Sequence, residues 1–319
     1  MPLTIAVTGA DGFIGRSVCA ELERRGHRVR RITRASGPPT QGDCRVVPDL
    51  AAAEGLERIL EGTDAVVHLA ARAHVVRETE RDPDAAFERA NVGATERLAT
   101  AASRAGLRRF VFVSSIGVNG NSTSGTPFTE LDRPTPAEPY ARSKLRAEQA
   151  LRAAVRSGLE LVVVRPSMVY GAGVKGNFLR LMSMVDSALP LPLAAVQNRR
   201  SLLGVDNLAG MLALCVEHPA AAGQLFLAAE PGVHSTPQLL RTIARVLQRP
   251  ARVFYVPVAP LRMVARIGGA LGQFDKLCSS LEVSAEKAHH VLGWHPAISF
   301  EEGMVRTAAW FRRRQHAVH

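Results

Sequence analysis

Leu3-Thr4-Ile5-Ala6-Val7-Thr8-Gly9-Ala10-Asp11-Gly12-Phe13-Ile14-Gly15 stands almost at the start of the 319-residue chain. Its first half, Leu3 to Thr8, is a short apolar and β-branched run of the kind a strand buried on both faces requires. Its second half spaces glycines three apart where that strand turns into a helix opening at Phe13. Small residues are needed there for three reasons: the backbone turns sharply, approaches a pyrophosphate closely, and packs helix on strand. The helix N-terminus meanwhile offers unpaired N–H groups to the anion. Gly9, Gly12, Phe13, Ile14 and Gly15 are therefore candidate dinucleotide-binding residues.

Strand and helix signals alternate outward from this turn. Strands are expected at 28–33, 44–47, 65–70, 109–114 and 159–165, and helices at 13–25, 51–60, 85–105 and 140–157. That order, with right-handed crossovers, is an α/β fold: a Rossmann-type doubly wound parallel sheet. Past residue 170 the pattern changes. Helices are expected near 178–187, 207–217, 260–271, 285–292 and 300–312, with strands at 224–228 and 253–256. One more helix starts at Thr236 as N-cap with Pro237 in first position. We expect residues 1–170 to form the dinucleotide-binding part, with pieces of 200–230 returning to it, and 171–319 to form mainly a smaller α/β substrate-binding lobe.

Composition excludes several classes. Of all residues, 46% are hydrophobic and 22% charged, which is ordinary for a globular chain. No apolar run reaches the roughly 18 residues of a membrane span, and the N-terminus lacks a basic region ahead of an apolar stretch, so a cytoplasmic enzyme is expected. The four cysteines are scattered without C-x-x-C pairs or histidines at ligand spacing, which supports neither a disulfide framework nor a metal site. The net charge of +11 raises nucleic acid as a partner. Arginine, however, supplies all but four of the 40 basic residues and is spread along the chain, so a general preference for arginine explains the charge and no nucleic-acid partner is expected.

Two regions bear on the cofactor. Where the second strand ends, a carboxylate usually holds the ribose 2′-hydroxyl of NAD, but here the residues are Ile32-Thr33-Arg34. Thr33 suits a hydroxyl, whereas Arg34 or Arg31 suits a 2′-phosphate, so NADP(H) is slightly favoured over NAD(H). Asp49 and Leu50 would edge the adenine, and Leu69, Ala70 and Ala71 would line the cofactor's middle; both could equally be a loop cap and core.

The candidate chemistry sits on one helix and one strand end. Tyr140 and Lys144 form Y-x-x-x-K, which puts both side chains on one helix face a turn apart. With three tyrosines and four lysines in the chain, chance supplies only about 0.04 such pairs. A neighbouring ammonium favours the phenolate and is expected to lower the Tyr140 pKa, so that the phenol exchanges a proton with an alcohol or sugar oxygen. Ser114-Ser115-Ile116-Gly117-Val118-Asn119-Gly120 follows the fifth strand, where a hydroxyl can bond a developing oxyanion. His74, beyond the fourth strand, is either a ligand of the sugar or its phosphates or a structural loop histidine.

Glycine turn, serine, tyrosine and lysine in this order resemble the extended short-chain dehydrogenase/reductase family, in its NAD-dependent epimerase/dehydratase branch, over nearly the whole chain. The resemblance implies Ser115 as the catalytic hydroxyl, with Asn119 in place of the motif's tyrosine. Arg165 to Gly171 resembles the family's Arg-Pro-x-x-Val-Tyr-Gly and implies that Pro166, Ser167 and Met168 flank the nicotinamide. Val174 to Phe178 implies Asn177 at the nucleotide diphosphate, and Arg199-Arg200-Ser201-Leu202 implies Arg200 on the substrate phosphates, where its fork suits them. A second phosphate arginine has no clear counterpart, and Lys276 is only a candidate. Leu292 to Pro296 matches the family's late Leu-Gly-Trp-x-Pro.

Dehydratases of this branch place Asp-Glu after the catalytic hydroxyl, whereas here Ile116-Gly117 follows, which disfavours water elimination. The remaining motifs resemble most the UDP-N-acetylquinovosamine dehydrogenase group. That implies reduction of a 4-keto-6-deoxy UDP-sugar, with a UDP-hexose 4-epimerase retaining NAD as the alternative and a non-catalytic dinucleotide sensor as a reading of another class. The expected partner is a nucleotide-sugar, with a homodimer possible through the helices at 85–105 and 140–157.

Overall fold

The computed structural model of the chain describes residues 1–35, 42–73, 82–155 and 158–316. Seven strands pair in parallel: β1 (Thr4–Thr8), β2 (Arg28–Thr33), β3 (Cys44–Val46), β4 (Ala65–His68), β5 (Arg109–Val113), β6 (Glu160–Pro166) and, after β7 (Met168–Tyr170) and β8 (Leu202–Gly204), β9 (Leu225–Ala228). Their order across the sheet is β3-β2-β1-β4-β5-β6-β9. The strand order reverses between β1 and β4, so a crevice opens at the carboxyl ends of those two strands.

Helices α1 (Phe13–Arg24), α2 (Leu56–Leu60), α3 (Pro83–Phe87), α4 (Ala94–Arg104), α5 (Pro139–Ala154), α6 (Gly176–Asp186) and α7 (Val205–Glu217) accompany the strands. Alternation along the strands feeds two cores. Ile5, Val7, Val111 and Val113 face α1 and α7 through Val18, Leu22, Leu208 and Leu212. Ala6, Val66, Phe110 and Phe112 face the other side, against Leu98 of α4 and Leu151 of α5. Both sides of the sheet are covered, which is why these strands read as continuous apolar runs.

The later chain forms α8 (Thr236–Leu247), α9 (Val258–Ile267), α10 (Leu271–Cys278), α11 (Glu286–Leu292) and α12 (Phe300–His316). A separate core of Phe178, Met182, Leu240, Ile243, Met304 and Phe311 joins α6, α8 and α12.

Several expected elements differ. Residues 51–55 are not helical, because α2 begins only after Gly55, which takes the left-handed conformation at φ +65°. The helix expected over 85–105 is α3 and α4 joined by a π-helical turn at Glu88–Gly93. The helix at 260–271 is α9 and α10, parted at Gly268-Gly269, where Gly269 has φ +69°. No strand forms at 253–256; Val253 makes an isolated bridge to Leu191, and Phe254 and Tyr255 stand exposed between Pro250 and Pro257. Ser235, not Thr236, caps α8, because its hydroxyl and the Gln238 side chain satisfy each other's backbone N–H groups. The β7–β8 pair was not anticipated.

A buried ionic cluster joins the elements that carry the candidate chemistry. Glu148 of α5 accepts two hydrogen bonds from Arg165 of β6, at 2.9 and 2.6 Å, and one from Ser114 at the end of β5, at 2.5 Å. The second terminal nitrogen of Arg165 donates to Asn119 at 2.9 Å. All four residues are buried. Removing one partner of such a pair strands a charge in a low-dielectric interior. We therefore expect Arg165→Met to lower unfolding free energy by about 3–5 kcal/mol, with Arg165→Met/Glu148→Met costing less than the single change. Denaturant titration of the three proteins checks this, and an Arg165→Met protein as stable as the parent would contradict it.

Candidate active site

The glycine turn is fixed by sterics that only glycine meets. Gly9 has φ +66°, and a Cβ there would come within 3.0 Å of the Ala70 nitrogen. A Cβ on Gly15 would stand 2.1 Å from the Gly9 carbonyl oxygen, so helix and turn could not pack. Gly12 is the N-cap of α1 and no side chain caps that helix, so its first amides face outward to an anion.

Across the crevice, Thr8 Oγ1 accepts from the Leu69 and Ala70 amides at 3.1 and 3.2 Å. That leaves its hydrogen for Nδ1 of buried His68 at 2.7 Å, and Nε2 of His68 meets Thr95 at 3.1 Å. Burial, and next the Lys144 charge, push the His68 imidazole down to about 3, so it is a neutral strut between strand and helix.

A cleft of about 520 Å³ opens where these strand ends meet the later chain. Phe13, Ile14, Leu69, Ala71, Ser115, Tyr140, Lys144, Pro166, Ser167, Met168 and Asn177 all line it, drawn from the ends of β4, β5 and β6, the start of β7 and the first turns of three helices. Ser115 caps a short turn, its oxygen accepting from the Gly117 amide at 3.2 Å. Its hydroxyl hydrogen is thus left for another acceptor. The Ser167 hydroxyl is buried without a partner among the described residues, so a polar ligand group can satisfy it. The outward amides of α1 and this hydroxyl fit a dinucleotide laid from the glycine turn to Pro166.

Tyr140 opens α5, its ring edge-on to Phe87 at 6.3 Å. Lys144 follows one turn later, buried, with its ammonium 4.1 Å from the Phe112 ring centroid. Burial drives that ammonium down to about 7, against the opposing charge of Glu148. Burial also pushes the Tyr140 phenol up to about 12. The lowering expected at Tyr140 is thus not present in the free protein: desolvation dominates both groups, and a half-neutral lysine gives the phenolate little field.

The remaining candidates divide. Ala70 borders Gly9 through its backbone. Thr33 is buried and donates to the Ala35 carbonyl at 3.1 Å, whereas Arg34 is exposed at the end of β2. Arg31 is held by Glu23 at 2.6 Å. Asp49 accepts from the Ala51 amide at 2.8 Å as a loop cap, and Leu50 packs against the core under α4. Arg200 does not line the cleft; it donates to the carbonyls of Lys276 and Ser279 at 2.6 and 3.0 Å, and its Nε is buried without a partner among the described residues. Burial lowers its pKa. His74 lies outside the described residues.

Other residues were missed. Asn91, presented by the π-helical turn, holds the Arg72 backbone from both sides and donates to Ser143 at 2.9 Å, locking the loop after β4 onto α5 between Tyr140 and Lys144. Nothing in sequence spacing announces such a turn. Lys276, the candidate named for a second phosphate contact, does line the cleft and pairs with Glu138 at 2.7 Å, whereas Glu138, Lys175 and Arg180, which line it as well, were not expected there. Three of the chain's four lysines therefore lie on this cleft. Among the described residues no group of three or more His, Cys, Asp or Glu could hold a metal ion, and no helix is long and apolar enough to cross a membrane.

Known proteins resemble this chain in sequence and in fold. Residues 5–228 match the family described as NAD dependent epimerase/dehydratase. A Vibrio cholerae protein named UDP-glucose 4-epimerase is 36% identical over 315 residues, covering 98% of this chain and 96% of its own. A 2-alkyl-3-oxoalkanoate reductase of Stenotrophomonas maltophilia (strain K279a) is 27% identical, covering 96% and 99%. The solved structure of MoeE5 in complex with UDP-glucose and NAD superposes with a TM-score of 0.79 at 25% identity, covering 98% and 99%. With its glycine turn, parallel sheet and serine–tyrosine–lysine cleft, the chain belongs to the NAD-dependent epimerase/dehydratase family of extended short-chain dehydrogenase/reductase enzymes.

Proposed function

We propose that this enzyme acts at C4 of a nucleotide-activated, UDP-type sugar in the cytoplasm, reducing a 4-keto-6-deoxy-N-acetylhexosamine with NADPH or NADH, as a monomer or as a homodimer through α4 and α5. The observation that carries the reading is one cleft holding a free serine hydroxyl, a phenol and a buried lysine beside the glycine turn, with Lys175, Arg180 and Lys276 at hand for a diphosphate. A relative named for UDP-glucose and a neighbour solved with UDP-glucose support the substrate class.

The dinucleotide, when bound, supplies hydride to the sugar carbonyl. Ser115 donates a hydrogen bond to the C4 oxygen as it gains charge, and Tyr140 delivers the proton. Lys144 steadies the phenolate left behind, and Asn91 and Glu148 keep α5 in position.

Turnover of a 4-keto UDP-sugar with NADPH or NADH tests the proposal. Tyr140→Phe should lose at least about 100-fold in kcat while binding cofactor as before. A Tyr140→Phe enzyme with parental turnover would overturn the assignment. The second reading, a 4-epimerase, is favoured by the 36% relative and by the NAD held in the MoeE5 structure. Incubating the purified enzyme with a UDP-hexose and no added cofactor separates the two, because only an epimerase that retains its NAD interconverts C4 isomers under those conditions.

The pH profile has a defined sign. Lys144 is charged below about 7 and neutral above it, so support for the developing phenolate fades as pH rises through that value. Reduction should therefore slow as pH rises from 6 toward 9, reaching about tenfold per unit where Lys144 alone limits the rate. Stopped-flow oxidation of NADPH across that range checks it, and a rate that climbs throughout would refute it.

NADP(H) use rests on Arg34 and on the absence of an acid at the end of β2. Arg34→Ala should weaken NADPH about tenfold and leave NADH unchanged, measured by fluorescence titration. Equal NADPH affinity in parent and variant would assign NAD(H) instead.

A further inference from the structure

Helix α9 buries none of its residues, although seven of the ten in Val258-Ala259-Pro260-Leu261-Arg262-Met263-Val264-Ala265-Arg266-Ile267 are aliphatic or Met. Val258 packs against the core shared by α6, α8 and α12, and with Leu261 and Ala265 it forms the half-buried inner stripe. On the opposite side, Met263, Val264 and Ile267 are 58%, 68% and 80% exposed, and Tyr255, just before the helix, is 72% exposed. At about 100° per residue these three helix positions fall within one arc. The helix thus has two apolar faces, and the protein covers one.

The chain segment that carries the open face is basic, and the next acid along the chain, Asp275 on α10, is paired with Arg262. Residues 231–274 contain six arginines and no Asp or Glu, in a chain with 29 acidic residues. Arg252 and Arg266 are exposed and have no acidic partner among the described residues, and Arg262 reaches Asp275 only at 3.3 Å. Even spread of arginine does not explain this segment, since its basic excess comes from missing acids.

We infer that α9 docks the protein on an anionic lipid surface. Apolar side chains flanked by arginine and next to an exposed tyrosine are the pattern of a helix lying in the headgroup region. Ten residues rise about 15 Å, too short to span and suited to lie flat. Arginine stems follow the apolar surface while their heads reach lipid phosphates. A second copy fits less well, because two-fold pairing would set this arginine-flanked face against itself. Helix α10 packs on α9 and carries Lys276 to the catalytic cleft, so docking would bring the cleft wall to the membrane surface.

The test is co-sedimentation of the full chain with vesicles of phosphatidylcholine alone and of phosphatidylcholine mixed with phosphatidylglycerol. The protein should pellet with the mixed vesicles only. Met263→Asp/Ile267→Asp and Arg252→Glu/Arg266→Glu should each reduce partitioning about tenfold or more, with thermal unfolding and NAD(P)H binding unchanged, whereas Arg58→Glu on α2 should not. Failure to pellet with mixed vesicles, or equal pelleting by the α9 variants, would overturn the inference. So would a fall in particle mass caused by Met263→Asp/Ile267→Asp in light scattering, which would give the face to a second copy. Binding to soluble polyglutamate without binding to vesicles would give it to an acidic protein and overturn it as well.

Discussion

The pair of Arg165 and Glu148, hydrogen-bonded twice over and sealed from water, is the constraint on which the site depends. The groups proposed to react or to flank the cofactor come from distant parts of the chain: Ser115 from beyond β5, Tyr140 and Lys144 from α5, and Pro166 to Met168 from the end of β6 to the start of β7. Hydrophobic packing alone brings these elements together but leaves them free to slide by fractions of an ångström, and reactive geometry does not tolerate that. A bidentate ion pair fixes distance and angle at once. By adding Ser114 and Asn119 as further partners, the cluster ties both strand ends and the helix to one carboxylate.

The opposite wall is held by neutral groups. Thr8, His68, Thr95 and Asn91 form a hydrogen-bonded chain from the glycine turn to the π-helical turn, and Asn91 continues it to Ser143 on α5. Because burial keeps His68 uncharged, this wall does not respond to pH across the neutral range. The ionisation that does change there is that of Lys144, whose burial lets a modest alteration of the cleft shift its charge. A rigid frame thus surrounds one soft titrating group.

Sequence reading recovered what short-range chemistry dictates. The strands β1, β4, β5 and β6 were legible because burial on both faces demands largely apolar runs, and the glycine turn because no other residue fits. It misplaced what depends on the rest of the fold. A strand at 253–256 looked sound from Val253, Phe254, Tyr255 and Val256, yet the segment pairs only through the isolated Val253–Leu191 bridge and a few backbone hydrogen bonds to 191–194. Asn91 was invisible because its role comes from a π-helical turn, and the Tyr140 pKa was misjudged because spacing reports proximity and not desolvation.

The use of lysine argues independently for the cleft. This chain writes nearly every cation as arginine, and three of its four exceptions line one cavity. On the surface the two residues serve equally as solubilising charge, so a general bias toward arginine can act there freely. Inside a cleft they differ: guanidinium stays charged and spreads flat, whereas ammonium is compact and gives up its proton when buried. Lys144 could not titrate near neutrality as an arginine. Lys276, paired with Glu138 at the cleft wall, offers a point charge that an incoming anion can draw away without breaking a bidentate lock. Lys144 and Lys276 thus stand where ammonium and guanidinium differ in chemistry, in the cleft that the glycine turn and the Tyr140 helix define.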